Sequence, residues 1–594
     1  MVNERGAEGM KLLRGTAAGA LGVLLGLQAL RTFLTSLVWM IGEQLSPNTM
    51  GTIALGVVAL GLLSGLIKRK LGQGRTERLT ATVLTLLYLG ALAVPNIAQR
   101  TGLSAAATMV WIWWFAAFAG KRRSLASALV GGLSLDVAVH ALLRGLDLPV
   151  GGPLSATALV GLAFIATACD PGPAGPSTGW GTLALGPWLF VQMEVLSNLA
   201  RLRILTGLAP GPALALAEMG LAVALAVMAL PMPGLVRAAL GLLGALLLLH
   251  PSGVLWVLGA QAGAAAALAG ALGPGRVRLW PPLSVLLLVG LFFLFYSQST
   301  WPLLPAVAMA LLGLISLLVR SGTLLPSPRR LLAVPCLLAA VALLAGLGAP
   351  ARPASPSAVG TGTIRLMTYN IHQGLNLHSL PAPEAIAREI EAAAPDLVAL
   401  QEVNRGWTIS GNSDLVTWLE QRLPDYHLVY GPMVGDLWGT AILSRFPIKA
   451  SGSERYEPGL FFTMGFTWAV VALPGCNTLV LNTHLSTGPD LGGERAAQMS
   501  QLLTYWNGRP CTIIMGDANA EPSSEAIRRL TRAGFTDWLG RTAGPRAGTW
   551  PSDKAVESID YVATTAEFQA VAARTNPSAA SDHRPIIVEL VLRP

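Results

Sequence analysis

The sequence predicts a multi-pass α-helical membrane domain followed by an α/β globular domain, and three observations carry that prediction. Hydrophobic residues make up 53% of the 594-residue chain and charged residues only 12%, about half the ~25% of an ordinary soluble protein. The imbalance is confined to one part: residues 1–350 carry 22 Lys+Arg and 9 Asp+Glu, whereas residues 351–594 carry 19 and 23. The hydrophobic pattern also changes at that boundary, from runs of ~20 apolar residues to short alternating ones. A wholly soluble, disordered or disulfide-stapled chain is excluded. The net charge of +9 does not announce a nucleic-acid binder, because the positive excess lies in the apolar part.

Within residues 1–350, runs long enough to cross a bilayer number about thirteen, near 16–40, 51–67, 79–96, 103–120, 124–143, 154–169, 180–199, 209–231, 234–250, 253–273, 280–297, 302–319 and 331–349. Their Gly and Ala content suits close packing of helices in lipid. The charged start of the chain leads into a retained first span rather than a cleaved signal, since no small-residue cleavage site closes a short apolar region. Clusters such as Lys68-Arg69-Lys70 and Lys121-Arg122-Arg123 follow even-numbered spans and share a side with Lys11 and Arg14. That side reads as cytoplasmic, although Arg100, Arg144, Arg201 and Arg203 fall on the other. With thirteen spans the N-terminus is cytoplasmic and the C-terminal domain extracytoplasmic. Arg31, Asp136, His140, Glu194 and Glu218 are among the few ionisable groups within the runs. Asp136 and His140, four apart, share a helix face and read either as a proton or substrate site or as a satisfied helix contact.

Residues 351–361 form a Pro/Ser/Gly-rich linker between the membrane domain, 1–350, and the α/β domain, 362–594. Strands are predicted near 364–371, 397–403, 426–430, 440–446, 461–473, 478–484, 512–515, 559–564, 570–574 and 585–590. Helices are predicted over 383–394, 413–423, 492–506 and 523–533. Of the four cysteines, none sits in a zinc-binding spacing. Cys476 and Cys511, ahead of two strands, are either free or paired.

Several of these strands end in polar residues that a core would not select. Asn370 closes the first, Glu402 the second, His484 the strand at 478–484, and Asp517 with Asn519 the strand at 512–515. Asp560 opens an apolar run, and Asp582 with His583 precedes the last strand. One such residue reads as a cap or turn. Recurrence at strand ends reads as a shared site, because strand ends on one side of a sheet converge.

The strings Thr368-Tyr-Asn-Ile, Gln401-Glu-Val, Gly439-Thr-Ala-Ile-Leu-Ser-Arg-Phe-Pro-Ile, Asn482-Thr-His-Leu, Gly516-Asp-Ala-Asn, Ile559-Asp-Tyr and Ser581-Asp-His-Arg-Pro occur in that order. The ordered set resembles the endonuclease/exonuclease/phosphatase (DNase I-like) superfamily. The resemblance covers roughly residues 362–594 and implies a four-layer α/β sandwich and Mg²⁺-dependent cleavage of a phosphate ester, with Mn²⁺ as an alternative ion. It implies Glu402 as the leading metal ligand, beside Asn370 and Asp582, which suits a cation that takes carboxylate and amide oxygens. Asp517 resembles the carboxylate that positions the attacking water, with Asn519 holding that water or the phosphate. His583, oriented by Asp560, would contact the phosphoryl oxygens and shuttle a proton. His484 resembles the histidine that donates to phosphate or leaving group, with Asp436 the candidate carboxylate to orient it. Tyr561 and Arg584 read as structural. The string Gly516-Asp-Ala-Asn departs from the family by a small third residue, which leaves both polar groups intact.

The fold does not choose the ester. The α/β domain lacks the Lys/Arg cluster that phosphate-backbone binding requires, and thirteen spans exceed what an anchor needs. The leading expectation is therefore a lipid headgroup or glycolipid at the outer membrane face. In overall architecture only, the chain resembles GPI-anchor lipid-remodelling proteins. Two alternatives stand beside it: a surface nuclease acting on DNA or RNA, and a lipid-binding or transport protein with a non-catalytic head. The oligomeric state is not readable.

Overall fold

The computed structural model describes residues 2–41, 47–119, 122–168, 179–249, 253–272, 280–297, 303–319, 362–457, 464–488, 490–542 and 547–593. The chain divides into two compact units, Met1–Pro350 with Gly406–Ser413, and Ala351–Arg405 with Asp414–Pro594.

The first unit is helical. Among the described residues, six helices are long and apolar enough to cross a membrane: Leu13–Met40, Thr49–Leu71, Ile97–Phe118, Leu125–Leu142, Pro210–Ala229 and Gly253–Ala271. Four more are apolar but shorter, Leu154–Ala168, Gly234–Leu249, Trp280–Phe295 and Leu304–Leu318. Gln73–Ala93 is a further helix that brings Arg75, Glu77 and Arg78 into its first turns. The run predicted at 180–199 is not one helix but a 3₁₀ turn, a short α-helix and a π-helical turn, Gln192–Leu196. Pro187 and the polar residues Gln192, Glu194, Ser197 and Asn198 interrupt the ladder there. The candidate at 331–349, the linker at 351–361, Cys169 and Cys336 lie outside the described residues.

Small residues let these helices approach. A Cβ on Gly22 would stand 2.2 Å from the Trp114 ring, and one on Gly26 would meet Trp111 at 1.8 Å. The first helix therefore packs its glycine face directly onto indoles of Ile97–Phe118. Arg31, fully buried, donates to both carboxylates around it: to Asp136 at 2.6 and 3.0 Å and to Asp147 at 2.8 and 3.1 Å. His140 Nδ1 bonds the Asp136 backbone oxygen at 2.9 Å, and the Ser134 hydroxyl donates to Glu218 at 2.6 Å. Asp136, His140 and Glu218 thus take part in bonds within and between helices, with Arg31 the partner that Asp136 needs. Glu194 is buried in the π-helical turn.

The second unit holds two six-stranded sheets. One has the order β11-β12-β1-β2-β4-β3 and the other β5-β6-β7-β8-β10-β9. The strands are β1 Thr363–Asn370, β2 Leu397–Asn404, β3 His427–Val434, β4 Trp438–Ser444, β5 Ile448–Arg455, β6 Gly465–Leu473, β7 Cys476–His484, β8 Thr512–Asp517, β9 Thr536–Asp537, β10 Asp560–Thr564, β11 Phe568–Thr575 and β12 Ile586–Leu592. β1–β2 and β7–β8 are parallel pairs and need crossovers, which the helices Pro383–Ala393 and Gly492–Trp506 supply. The inner faces meet in one core that includes Leu366, Ala399, Ile442 and Val588 from one sheet and Val471, Val480, Met515 and Val562 from the other. Helices are therefore left to cover the outer faces.

β5 was not foreseen in the sequence. Its Lys449, Ser451, Ser453 and Glu454 give no apolar alternation, because it is a sheet-edge strand that is mostly exposed. β9 and the short helix Trp538–Thr542 also went unforeseen, being too short to show a period. Cys476 and Cys511 are free thiols, half-buried; burial, and next the Cys476 thiol beside it, push Cys511 up to about 12.

Candidate active site

The parallel and antiparallel ladders bring the polar strand ends to one end of the sandwich. Thr483 pairs with Gly516 and His484 with Asp517 across β7–β8, and Asp560 pairs with Asp517 across β8–β10. In the other sheet Asn370 is in register with Gln401, one residue before Glu402. The sheets are joined above the core by a buried amide network. Gln401 Nε2 donates to Asn482 Oδ1 at 2.7 Å and to Thr368 Oγ1 at 3.1 Å. Asn482 Nδ2 donates to the carbonyls of Leu400 at 2.9 Å and Ala441 at 2.8 Å. A network satisfied on this scale fixes the register of the two sheets, so the amides of the Gln401-Glu and Asn482-Thr-His strings are the bolts that hold Glu402 and His484.

Asp517 is at the centre of the polar groups. Asn370 Nδ2 donates to its Oδ2 at 3.0 Å and also to Glu402 Oε1 at 3.3 Å. The same Oδ2 lies 3.5 Å from His484 Nε2 and 3.7 Å from His583 Nε2. His583 Nδ1 stands 2.9 Å from Asp560 Oδ2, an imidazole held between two carboxylates. Burial opposes charge on His583, but the carboxylates of Asp560, Asp517 and Asp582 outweigh it and hold its pKa well above the ordinary histidine value. Burial raises the Asp560 carboxyl against the opposing attraction of His583. Asp582 is held below the usual carboxylate range in spite of burial, by His372 and His583. Its Oδ2 faces Trp550 Nε1 at 3.4 Å and its Oδ1 accepts from Ser581 at 3.2 Å.

The structure thus brings together Asn370, Glu402, His484, Asp517, Asp560, Asp582 and His583. Asn519 lies beside them with its amide committed to the protein: Nδ2 donates to the Leu485 carbonyl at 3.0 Å, and its backbone N–H donates to Asp517 Oδ1 at 2.8 Å. Asp436 is not the partner of His484. It pairs with Arg455 at 2.8 Å on the surface, because the turn joining β3 to β4 carries it outward. The groups beside His484 are Asp517 and the Trp438 ring, 5.4 Å between centroids. Tyr561 donates to the carbonyls of Ala520 and Ser558, and Arg584 to that of Ser552. Sequence reasoning missed His372, whose Nδ1 lies 3.6 Å from Asp582 Oδ1. A single histidine just past a strand end carries no period or spacing that marks it.

Backbone strain collects here. Glu402 has φ 57° and Asn519 φ 46°, conformations that cost non-glycine residues energy and persist where surroundings over-determine them. Gly516, at φ 143°, could not be another residue, since a Cβ would stand 2.0 Å from the Thr483 carbonyl oxygen.

The donor set fits a divalent cation. Asp517, Asp560 and His583 cluster with side-chain N/O atoms within 4.8 Å of one another; with His583 held in its charged form, the carboxylates are the groups left to ligate, the half-buried Glu402 and Asp582 among them. Both His484 ring nitrogens and Asp560 Oδ1 are buried without a hydrogen-bond partner, as expected of groups shaped to face something other than protein.

Residues 367–583 match the Endonuclease/Exonuclease/phosphatase family, so the C-terminal unit carries a DNase I-like domain. Among solved structures, the chain is similar to the endonuclease/exonuclease/phosphatase from Beutenbergia cavernae, at 24% identity over 39% of this chain and 72% of that one, with a TM-score of 0.34. It is also similar to the human Nocturnin catalytic domain with bound sulfate anion, at 20% identity over 39% and 94%, TM-score 0.33. A third likeness is to a humanized D. rerio TDP2, at 18% identity over 39% and 99%, TM-score 0.33. No curated protein matches the chain.

Proposed function

We propose that the chain is a membrane-bound, divalent-metal-dependent phosphoric ester hydrolase whose α/β domain stands on the outer face of the membrane and acts on the headgroup of a lipid or glycolipid. The observation that carries the hydrolase reading is the convergence of Asn370, His484 and His583 on Asp517, with Glu402 on the same Asn370 amide, inside a domain of a family whose members are generally metal-dependent phosphoric ester hydrolases.

Glu402 and Asp582, half-buried, would hold Mg²⁺, with Asn370 beside them. When bound, the ion offsets the negative charge of a phosphoryl group and polarises it for attack. Asp517 is the group to orient a water and take its proton. Its Oδ2 is fixed by Asn370 Nδ2, so its free lone pairs have a defined direction. His583, kept protonated by its carboxylates, donates to a phosphoryl oxygen through Nε2 while Asp560 holds Nδ1. His484, with both nitrogens uncommitted, is the donor to the departing oxygen.

The lipid assignment rests on charge and attachment. Lys+Arg number 19 against 23 Asp+Glu in residues 351–594, the wrong balance for neutralising a nucleic-acid backbone. The described residues of the same chain include six helices long and apolar enough to span a membrane. The test is turnover by the purified full-length protein with Mg²⁺ on sphingomyelin, phosphatidylinositol derivatives and plasmid DNA. Hydrolysis of a lipid is expected. Hydrolysis of DNA alone overturns the lipid assignment, and no turnover of any ester supports a non-catalytic head.

A further inference from the structure

The turn after β1 holds three consecutive residues in the left-handed region, His372 at φ 45°, Gln373 at φ 56° and Gly374 at φ 84°, the longest such run among the described residues. Only the third is glycine. Backbone of this kind costs non-glycine residues energy and persists where the surroundings over-determine it, and the turn carries the His372 side chain towards the candidate site. His372 is buried, its backbone N–H donates to Asn370 Oδ1 at 3.0 Å, and its Nδ1 faces Asp582 Oδ1 at 3.6 Å. On the other side Ser581 donates to the Asn370 carbonyl at 2.8 Å. The end of β1 and the segment carrying Asp582 are therefore joined by the Ser581 hydrogen bond, with the His372 ring at ion-pair distance from the Asp582 carboxylate.

We infer that His372 is a positioning residue for the metal site, holding Asp582 against the end of β1 so that this carboxylate and Glu402 are presented together. The inference rests on the metal-dependent reading above and assigns to His372 the support of a ligand rather than contact with substrate. Groups that orient a ligating side chain commonly contribute about 10–100-fold to metal affinity. Asp582 has three such neighbours, Trp550 on Oδ2 and both Ser581 and His372 on Oδ1, and the imidazole is the one delivered by a strained turn.

The test is Mn²⁺ binding to the full-length protein by equilibrium dialysis, alongside thermal melts. His372→Gly is expected to melt no lower than the wild type, because glycine adopts φ 45° without strain, yet to bind Mn²⁺ ~10–100-fold more weakly. His372→Asn tolerates a left-handed backbone and sets an N–H near the place of the imidazole Nδ1, so it is expected to keep wild-type affinity. Asp582→Ala should lose at least as much affinity as His372→Gly, and the double variant should lose little more than Asp582→Ala alone. Wild-type Mn²⁺ affinity in His372→Gly overturns the inference while leaving the metal reading intact; so does a full loss in His372→Asn. Absence of Mn²⁺ binding by the wild type overturns the metal reading itself.

Discussion

Asp517 is the residue on which the polar contacts of the site converge: Asn370, His484 and His583 all lie against its Oδ2. Asp517→Asn keeps the size of the side chain and removes its capacity to take a proton. It is expected to lower turnover by about 10²–10⁴-fold with an unchanged far-UV circular dichroism spectrum; turnover near wild type would remove Asp517 from the chemistry. Asp537, remote from that role, gives a pH prediction. Burial pushes its carboxyl up to about 6 from an ordinary 3.8, against the N–H groups of Gly540 and Leu539. A folded-state pKa raised in this way means a contribution to stability that is complete below the ordinary value and lost as pH rises through about 6. Asp537→Asn should therefore melt above the wild type at pH 8, by about 3 °C or more, and the difference should close near pH 4. Equal melting temperatures at both pH values would contradict the assignment. The reactive residues were legible because carboxylates and histidines at the ends of apolar strands have no packing reason to be there. His372 was not legible, since its place is set by the left-handed turn, and no residue type declares that turn.

The elements that carry the site were read from short apolar runs, which mark β1, β2, β7 and β8 because both of their faces are covered. β5 lies at a sheet edge, mostly exposed, and so shows no such run. Sequence also could not reveal that Gln401 and Asn482, which stand in motifs, act as ties between sheets, because that role depends on the two strands facing each other. The close approach of β7 and β8 gives the prediction proper to this scale. Gly516→Ala would set a Cβ 2.0 Å from the Thr483 carbonyl oxygen and requires L-alanine at φ 143°. The strands must part, moving His484 from Asp517. A loss of about 2–4 kcal/mol in denaturant melts, together with loss of hydrolysis, is expected; wild-type stability would show that the ladder yields there.

At the scale of the whole chain, the break in composition near residue 350 divides a helical unit from an α/β unit because membrane helices and sandwich strands need different apolar periods. Span counting was coarser. The run at 180–199 satisfies a composition window while being broken by Pro187 and a π-helical turn, and the helices at 154–168 and 234–249 are shorter than a bilayer core. The proposed orientation rests on the Lys/Arg distribution of the loops alone. A phosphatase reporter that folds only outside the cytoplasm, fused after Pro594, is expected to be active; activity restricted to a cytoplasmic reporter would reverse the proposed topology. The central claim is that side chains from two sheets form one metal-assisted hydrolytic site. Its most direct measurement is phosphate-ester hydrolysis by the full-length protein and by Glu402→Gln, each in Mg²⁺ and in EDTA. The account predicts turnover by the wild type in Mg²⁺, loss in EDTA with recovery on adding metal back, and a decrease of about 10³-fold or more in Glu402→Gln. Equal rates for the two proteins, or a rate indifferent to EDTA, would contradict it.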